Sequence, residues 1–516
     1  MAKKPSKKTP LPITKKTRTK VVDVSADTVA PFPKGGKSKL AQPTAEDLAK
    51  YGVDPATAAF NSLMSAEYDS LEVKYEMVGG STKSLDKVSS DCLVLDLITG
   101  GGFTPTGICQ MAGFEASGKT TTILHTSGRA LSERKLGYIG VNDAENTFDL
   151  EYLQGIFGPK FDLTLMGNLR YSDQNILESY FDFVRSVLRT LPDKIWVEEV
   201  GTFCYRLNMD NAKQKEFAGK LKDFGIKEDK RLSTKKSIIV PTTDTSPQAL
   251  FILDSFPSLI TDGADDRESD ESGGMSERAR KLAEILPKFT GRMRRKGACI
   301  VGVNQLREKP GVTHGDPVYE PMGNTLKFFS AQRNRVTSRS SKSYSDSFKI
   351  DKEQTQSVVE DNPLGGQDYY SFKEFKNTKN KAGTPFLRGW CRIWTADPNG
   401  LGHGIDPVFD LWEYMLLTGQ VTGGRTGKRG FTITLPGVQK YLNGPINWHT
   451  FKMLVLAEKY GGAYLKAAKD AGYAKPPGLL AAAWKQRGAE ASRLRSEHAK
   501  AVAMGKVAKE ETSESA

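Results

Sequence analysis

Residues 107–133 read GICQMAGFEASGKTTTILHTSGRALSE, and this stretch decides the fold. Within it, Gly113–Thr120 (GFEASGKT) fills the pattern G-x-x-x-x-G-K-[ST]. The apolar run before it predicts a buried strand, and the run after it predicts a helix. Phosphate binding requires that order. The glycines let the chain wrap so that backbone N–H groups face an anion, and the new helix adds its positive N-terminal end. Gly113, Glu115, Ser117, Gly118, Lys119, Thr120 and Thr121 are therefore the expected nucleotide-binding residues. Lys119 should reach the β- and γ-phosphates of ATP, and the Thr120 hydroxyl should hold Mg²⁺.

Working outward, a second metal-side group is expected at the end of another buried strand. Residues 249–255, ALFILDS, end an apolar run in Asp254, and such a run suits a strand covered on both faces. Residues 136–149, LGYIGVNDAENTFD, form another short strand pattern that ends in Asp143 and Glu145. Parallel neighbours present their C-terminal ends together, so Glu145 is expected across from Lys119. Residues 81–190 alternate short apolar runs, glycine-rich turns and helical patterns, which predicts an α/β architecture with a twisted, mostly parallel sheet.

The chain has 516 residues, 38% of them hydrophobic, with a formal net charge of +13. Such a charge favours nucleic acid or another polyanion as partner, unless the excess resides in a tail. Cysteines at 92, 109, 204, 299 and 391 are odd in number and far apart, which argues against a disulfide framework and a zinc site. No uncharged apolar run reaches the ~18 residues a membrane helix needs. No apolar stretch follows the N-terminal lysines, so a secretory signal and a membrane partner are not expected.

Composition divides the chain further. Residues 1–45 are rich in Lys, Pro, Thr and Ser and read as a disordered basic arm. Residues 46–80 read as a small helix–strand element, to which the family resemblance set out below assigns oligomerisation. Residues 81–422 form the expected core, interrupted by an insertion at 192–248 that holds one strand pattern, KIWVEEVGTFCYRL. Residues 339–368 read as a polar loop, followed by a strand pattern through Asp410. Residues 423–516 read as a small α+β C-terminal domain with a helical, partly disordered tail. Trp390 and Trp394, which alternate with polar residues, read as core, and His125 as structural.

Several motifs recur in order: GFEASGKTT, NDAENTFDLEY, LDSFPSL, GMSERARKL, VNQLREKPGVTHGDP, MGNTLKFF and KNKAGTPF. Together, from about Gly79 to Val421, they resemble the bacterial and phage RecA-type DNA recombinase family. The resemblance implies a RecA-like P-loop ATPase core that hydrolyses ATP with Mg²⁺ in a DNA-dependent way. It implies that Glu145 activates water, that Asp149 and Tyr152 contact adenine, and that Gln305 senses the γ-phosphate. Lys379 and Lys381 would reach the neighbouring subunit's ATP, so the catalytic set is Glu145, Lys119, Gln305, Lys379 and Lys381. It further implies DNA contacts by Met275 and Arg280 in a first loop, and by Arg307, Gly323 and Asn324 around a second.

The implied partners are single-stranded DNA, a homologous duplex, further copies in a helical filament, and single-strand-binding and loader proteins. The implied location is cytoplasmic and DNA-associated, or a viral replication compartment for a phage-encoded chain. Departures from the family pattern are His314, where the family has an aromatic, and Pro287, which should kink or restart its helix. The tail carries interspersed Lys and Arg rather than an acidic run. The alternatives are a hexameric helicase on a related core and a catalytically quiet protein that coats single-stranded DNA.

Overall fold

The computed structural model describes residues 84–503 apart from 134–135, 159, 224–225, 266–270, 310–317, 340–356, 397–403, 426–428 and 443. The chain divides after Gly80, and every described residue falls in the second unit, Ser81–Ala516. The expected basic arm, the helix–strand element at 46–80 and His314 lie outside the described residues.

The main sheet is built around the stretch that opens the sequence. Strand β1 (Gly107–Gly113) is followed directly by the phosphate-loop residues and helix α2 (Lys119–Glu133), with α1 (Leu93–Thr99) before it. β2 (Tyr138–Asp143), α3 (Leu150–Phe157), β3 (Leu169–Ser172) and α4 (Leu177–Thr190) follow. After the 192–248 segment come β7 (Ala249–Asp254), β8 (Ala298–Gln305), β11 (Ser330–Arg339), β12 (Ser357–Asp361), β13 (Gln367–Asn380), β14 (Arg388–Ala396) and β15 (Gly404–Ile405). The spatial order is β15-β14-β13-β11-β1-β8-β7-β2-β3, with β12 also on β13. The pairs from β11 to β3 are all parallel, and β13, β14, β15 and β12 add an antiparallel flank.

The continuous apolar runs have a simple cause: both faces of the parallel strands are covered. Cys109 and Met111 of β1, Leu250 and Ile252 of β7, and Cys299 and Val301 of β8 join one core with α1 and α2. Their alternates Ile108, Phe251 and Ile300 join a second core with α4 and the long helix α6 (Glu271–Lys296). All five cysteines are buried as small apolar side chains. Trp390 and Trp394 are buried as well. His125 is structural: its Nε2 accepts from the Ile405 N–H (2.9 Å), which leaves the Nδ1 proton for Asp91 (3.2 Å).

The structure departs from the sequence reading in several places. Residues 194–207 are not one strand but two, β4 (Asp193–Val197) and β5 (Thr202–Asn208), joined by a turn through Gly201 at φ +69°. With β6 (Ser237–Thr242) they form a separate antiparallel sheet, order β4-β5-β6, alongside α5 (Ala212–Asp223). The expected loop at 339–368 contains β12, because its 357–361 residues gain a partner edge on β13. The strand pattern does not run to Asp410. Asp406 caps helix α8 (Pro407–Thr418) by accepting from the Val408 N–H, with Pro407 at the first helical position, and Asp410 lies inside it. Helix α6 does not restart at Pro287 but continues to Lys296.

Beyond α8, the pair β16 (Val421–Gly423) and β17 (Phe431–Ile433) precedes α9 (Trp448–Lys459), α10 (Gly462–Asp470) and α11 (Leu479–Ala503). Their apolar residues, Phe431, Phe451 and Leu479 among them, share one cluster with β1 and α1. No helix among the described residues is long and apolar enough to cross a membrane.

Candidate nucleotide and DNA site

Because β1, β2, β7 and β8 are parallel, their C-terminal ends share one edge, and the candidate residues gather there. Gly113 pairs with Gln305 across β1 and β8, and Asp143 pairs with Asp254 across β2 and β7. Gly113 has no room for a side chain, since a Cβ would meet Ser117 Oγ and the Val336 carbonyl. Gly118 has φ +89°, and a Cβ there would strike Ile393. Glu115 is exposed on the loop and Ser117 is buried beneath it.

Lys119 Nζ donates to the Phe114 carbonyl at 2.7 Å, folding the lysine back over its own loop. Burial lowers its pKa, opposed by Asp254, Glu145 and Glu115. Thr120 Oγ1 donates to Asp254 Oδ2 at 2.5 Å. Burial raises the Asp254 carboxyl to about 6, against the Thr120 hydrogen bond and with a further push from Glu145 and Asp143. Asp254 Oδ1 is buried with no hydrogen-bond partner among the described residues. A hydroxyl and a carboxylate with a free buried oxygen suit a hard cation such as Mg²⁺.

Glu145 is exposed, and its Oε1 accepts from Ser255 Oγ (2.6 Å) and Ser258 Oγ (3.0 Å). The Phe256–Ser258 turn then connects this carboxylate to the loop side. Arg278 Nη1 donates to the carbonyls of Pro257 (2.8 Å) and Leu259 (3.4 Å). Arg278, in turn, lines one small cavity with Arg307 and Met322. Arg307 is exposed in β9 (Arg307–Glu308), which pairs with β10 (Val318–Tyr319) in a hairpin framing residues 310–317. Gly323, at φ +69°, and Asn324 open helix α7 (Gly323–Phe329). A Cβ on Gly323 would lie 3.4 Å from Ala279 of α6, so the start of α7 adjoins exposed Arg280. Met275 lies on α6, and its side chain is outside the described residues.

The remaining candidates come from other elements, and of them Tyr152 reaches Thr121 next to the loop. Asp149 caps α3, accepting from the Glu151 N–H at 2.9 Å. Tyr152 packs against the core, and its hydroxyl shares a 2.6 Å hydrogen bond with Thr121 Oγ1. Lys379 Nζ donates to the carbonyls of Lys327 (2.6 Å) and Phe328 (3.0 Å) at the end of α7, and Lys381 Nζ to Phe328 (3.4 Å). Burial, then repulsion by Lys381 and Arg333, lowers Lys379 to about 8. Lys373, not Lys379, is the β13 lysine at this chain's own phosphate loop: its Nζ donates to the Ala116 carbonyl at 3.1 Å. Six residues of strand, roughly 20 Å, separate the two.

Sequence reasoning missed Lys373. Its Nζ also donates to Ser338 Oγ (2.9 Å), and with Ser371 and Ile393 it walls a cavity of about 280 Å³ over Gly118–Thr121. Nothing local to Lys373 announces this, since the approach is made by a strand 257 residues downstream of Ala116.

A mostly parallel sheet whose first strand turns through this loop into a helix defines a P-loop α/β protein. The comparisons narrow that class. The RecA N-terminal domain family matches residues 237–364, which span β7, β8 and both loop regions. The chain is 26% identical to Protein RecA of Lactococcus lactis subsp. cremoris (strain MG1363) over 287 residues, 55% of this chain and 57% of that protein. It is 26% identical to Protein RecA of Nostoc punctiforme over 258 residues, covering 50% and 54%. For Protein RecA of Synechococcus sp. (strain WH7803) the figures are 24% over 343 residues, 66% of each. The chain thus spans a little over half the length of the first relatives it matches. In fold and in these relatives the chain is similar to the RecA-type family.

Proposed function

We propose that this chain is an ATP-driven homologous recombinase. It assembles as a helical filament on single-stranded DNA, hydrolyses ATP between neighbouring copies, and carries out pairing and strand exchange with a homologous duplex. The observation that carries the reading is the convergence of Lys119, Thr120, Asp254 and Glu145 at one sheet edge, with Glu145 tied through the Phe256–Ser258 turn to Arg278 and the Arg307 hairpin.

In this reading the loop N–H groups and Lys119 bind the β- and γ-phosphates, and Lys119 exchanges its Phe114 carbonyl for them. Thr120 and Asp254 hold Mg²⁺, which supplies positive charge to the phosphate oxygens. Glu145, fixed by two serine hydroxyls, orients the attacking water. Gln305 reports the γ-phosphate to the second loop, because it ends β8 beside Gly113 and leads into Arg307. Asp149 and Tyr152 contact the base. Lys379 of β13 and Lys381 just past its end sit too far along to serve their own loop, which supports their delivery to a neighbour's nucleotide. Charge that arrives in trans makes turnover depend on assembly. Met275, Arg280, Arg307, Gly323 and Asn324 contact the single strand, with the arginines neutralising phosphates and glycine permitting close backbone approach. Residues 81–422 act as the core and 423–516 as a C-terminal domain. Single-strand-binding and loader proteins are its expected partners, and its place is on DNA in the cytoplasm.

The test is ATP turnover with and without single-stranded DNA, followed by electron microscopy. DNA-stimulated turnover on open filaments is expected. Closed rings would favour a helicase, and no turnover a coating protein. Glu145→Gln should keep ATP binding and filaments and lower turnover by at least about a hundredfold. Full activity in that variant removes Glu145 from its role.

A further inference from the structure

The 192–248 segment creates a cavity of about 560 Å³ against the core. Arg189 at the end of α4, Arg206 of β5, Lys236 before β6, and Arg292, Arg295 and Lys296 of α6 line it, and the one carboxylate among them is Asp193. Asp193 is engaged on both oxygens, by Arg206 (2.7 Å) and Lys296 (2.8 Å). Arg189, Lys236, Arg292 and Arg295 are exposed, and none is paired with a carboxylate among the described residues.

One ordinary explanation for cations here is that α4 and α6 both end at this place. Each helix end contributes only about half a negative charge, so six cations exceed two ends and one carboxylate by a wide margin. The carbonyls at the end of α4 are also already satisfied. Gln214 donates to Arg189 and Leu191, Asn211 to Arg189, and Lys296 to Leu191. The remaining cations are not needed as caps, and they converge from three separate elements.

We infer that this seam between the 192–248 segment and the core is a binding cleft for the sugar–phosphate backbone of duplex DNA. Apart from Leu188 and the paired Asp193 its lining is cationic, amide and hydroxyl, with no aromatic side chain. Sites for single strands use aromatic platforms for unstacked bases, whereas a duplex offers only phosphates and groove edges to such a wall. The cleft also has a fixed geometric relation to the candidate single-strand loops. Arg280 and Arg295 lie on the same helix, 15 residues or about 22 Å apart. This last point rests on the reading of Arg280 as a DNA contact, while the cleft itself does not. A duplex held there would run alongside the strand to be compared with it.

The test uses the full chain, a fluorescein-labelled duplex of arbitrary sequence and the matching single strand, each titrated by anisotropy over a range of salt. For Arg292→Ala/Arg295→Ala, both exposed, the slope of log affinity against log salt for the duplex should shrink by about 1.8, with a loss on the order of 50-fold near 0.1 M salt. Lys236→Ala, on the opposite wall, should shrink it by about 0.9. Single-strand affinity and DNA-stimulated ATP turnover should stay within about twofold of the parent. Unchanged duplex binding, or equal losses for duplex and single strand, overturns the proposal. So does an effect of the α6 pair without one from Lys236, or displacement of the duplex by inorganic phosphate at concentrations matched for ionic strength. A parent chain without DNA-stimulated turnover would remove the recombinase reading and leave the duplex comparison standing.

Discussion

Asp254 carries opposing demands in a single side chain. Burial makes its charged form costly and lifts it to about 6, yet a metal ligand must be ionised. A carboxyl raised in the folded state contributes stability that is complete below its unfolded value of 3.8 and lost as pH rises through about 6. Asp254→Asn should therefore stabilise the nucleotide-free protein at pH 7, by on the order of 2 kcal/mol, while weakening Mg²⁺-dependent nucleotide binding. In the parent, affinity for Mg·ATP should fall up to about tenfold per unit as pH drops below about 6, and the asparagine variant should lose that dependence. Calorimetric titration between pH 5 and 8, beside urea melts of the empty protein, measures both. Destabilisation at pH 7, or an unchanged pH profile, would remove Asp254 from the metal site. Lys373 marks the opposite limit of legibility. Lys119 and Asp254 announce themselves by local pattern, whereas Lys373 reaches the loop only through the pairing of β13 with β11.

Elements were readable where the pattern was local and the partner was the core. β1, β7 and β8 are apolar because two layers cover them, and that leaves a continuous mark in the sequence. β4 and β5 blurred into one strand because a short turn with a single glycine separates two half-buried strands. β12 was hidden because its identity comes from β13 rather than from its own few residues. The start of α8 could have been read, since Asp406–Pro407 is a cap followed by proline at the first helical position. Pro287 tests an element directly. It was expected to break α6, but Leu286 and Phe289 on either side are buried against the core, and the helix is held through the missing N–H. An interior proline costs about 3 kcal/mol, partly offset by the ~1 kcal/mol that its stiffness removes from the unfolded chain. Pro287→Ala should raise stability by on the order of 2 kcal/mol, read as a higher urea midpoint with an unchanged slope. A lower midpoint would mean that α6 depends on the bend proline imposes.

At the scale of the whole molecule, the joint between the antiparallel flank and the C-terminal helices is a buried charge network. Arg392 of β14 is fully buried and donates to Glu360 of β12 (2.7 Å) and Asp406 before α8 (2.6 Å). Arg425 and Trp448 also donate to Glu360, at 2.8 and 3.1 Å, so this one carboxylate ties β12, β14, the turn after β16 and α9 together. Lys452 of α9 adds an ion pair to Asp368 of β13 at 2.7 Å. Burial alone would raise Glu360, but Arg392, Arg425 and Lys452 outweigh it and hold the carboxyl down at about 2, against an ordinary 4.5. A carboxyl depressed in this way contributes stability that is complete above 4.5 and lost as pH falls through about 2. Glu360→Gln keeps the shape and removes the charge, leaving Arg392 with Asp406 alone. The cost at pH 7 should be about 3 kcal/mol, because unpairing a buried arginine is more damaging than never burying one. The difference between parent and variant should shrink steadily below pH 4.5, as the parent's own Glu360 takes up a proton. Urea midpoints at several pH values between 2 and 7 give that difference directly, and other carboxylates cancel because both proteins carry them. A gap that stays constant down to pH 2 would mean Glu360 acts by shape, not charge. The joint would then be held by the apolar packing of Trp412, Phe431 and Phe451 and by the Arg392–Asp406 and Lys452–Asp368 pairs.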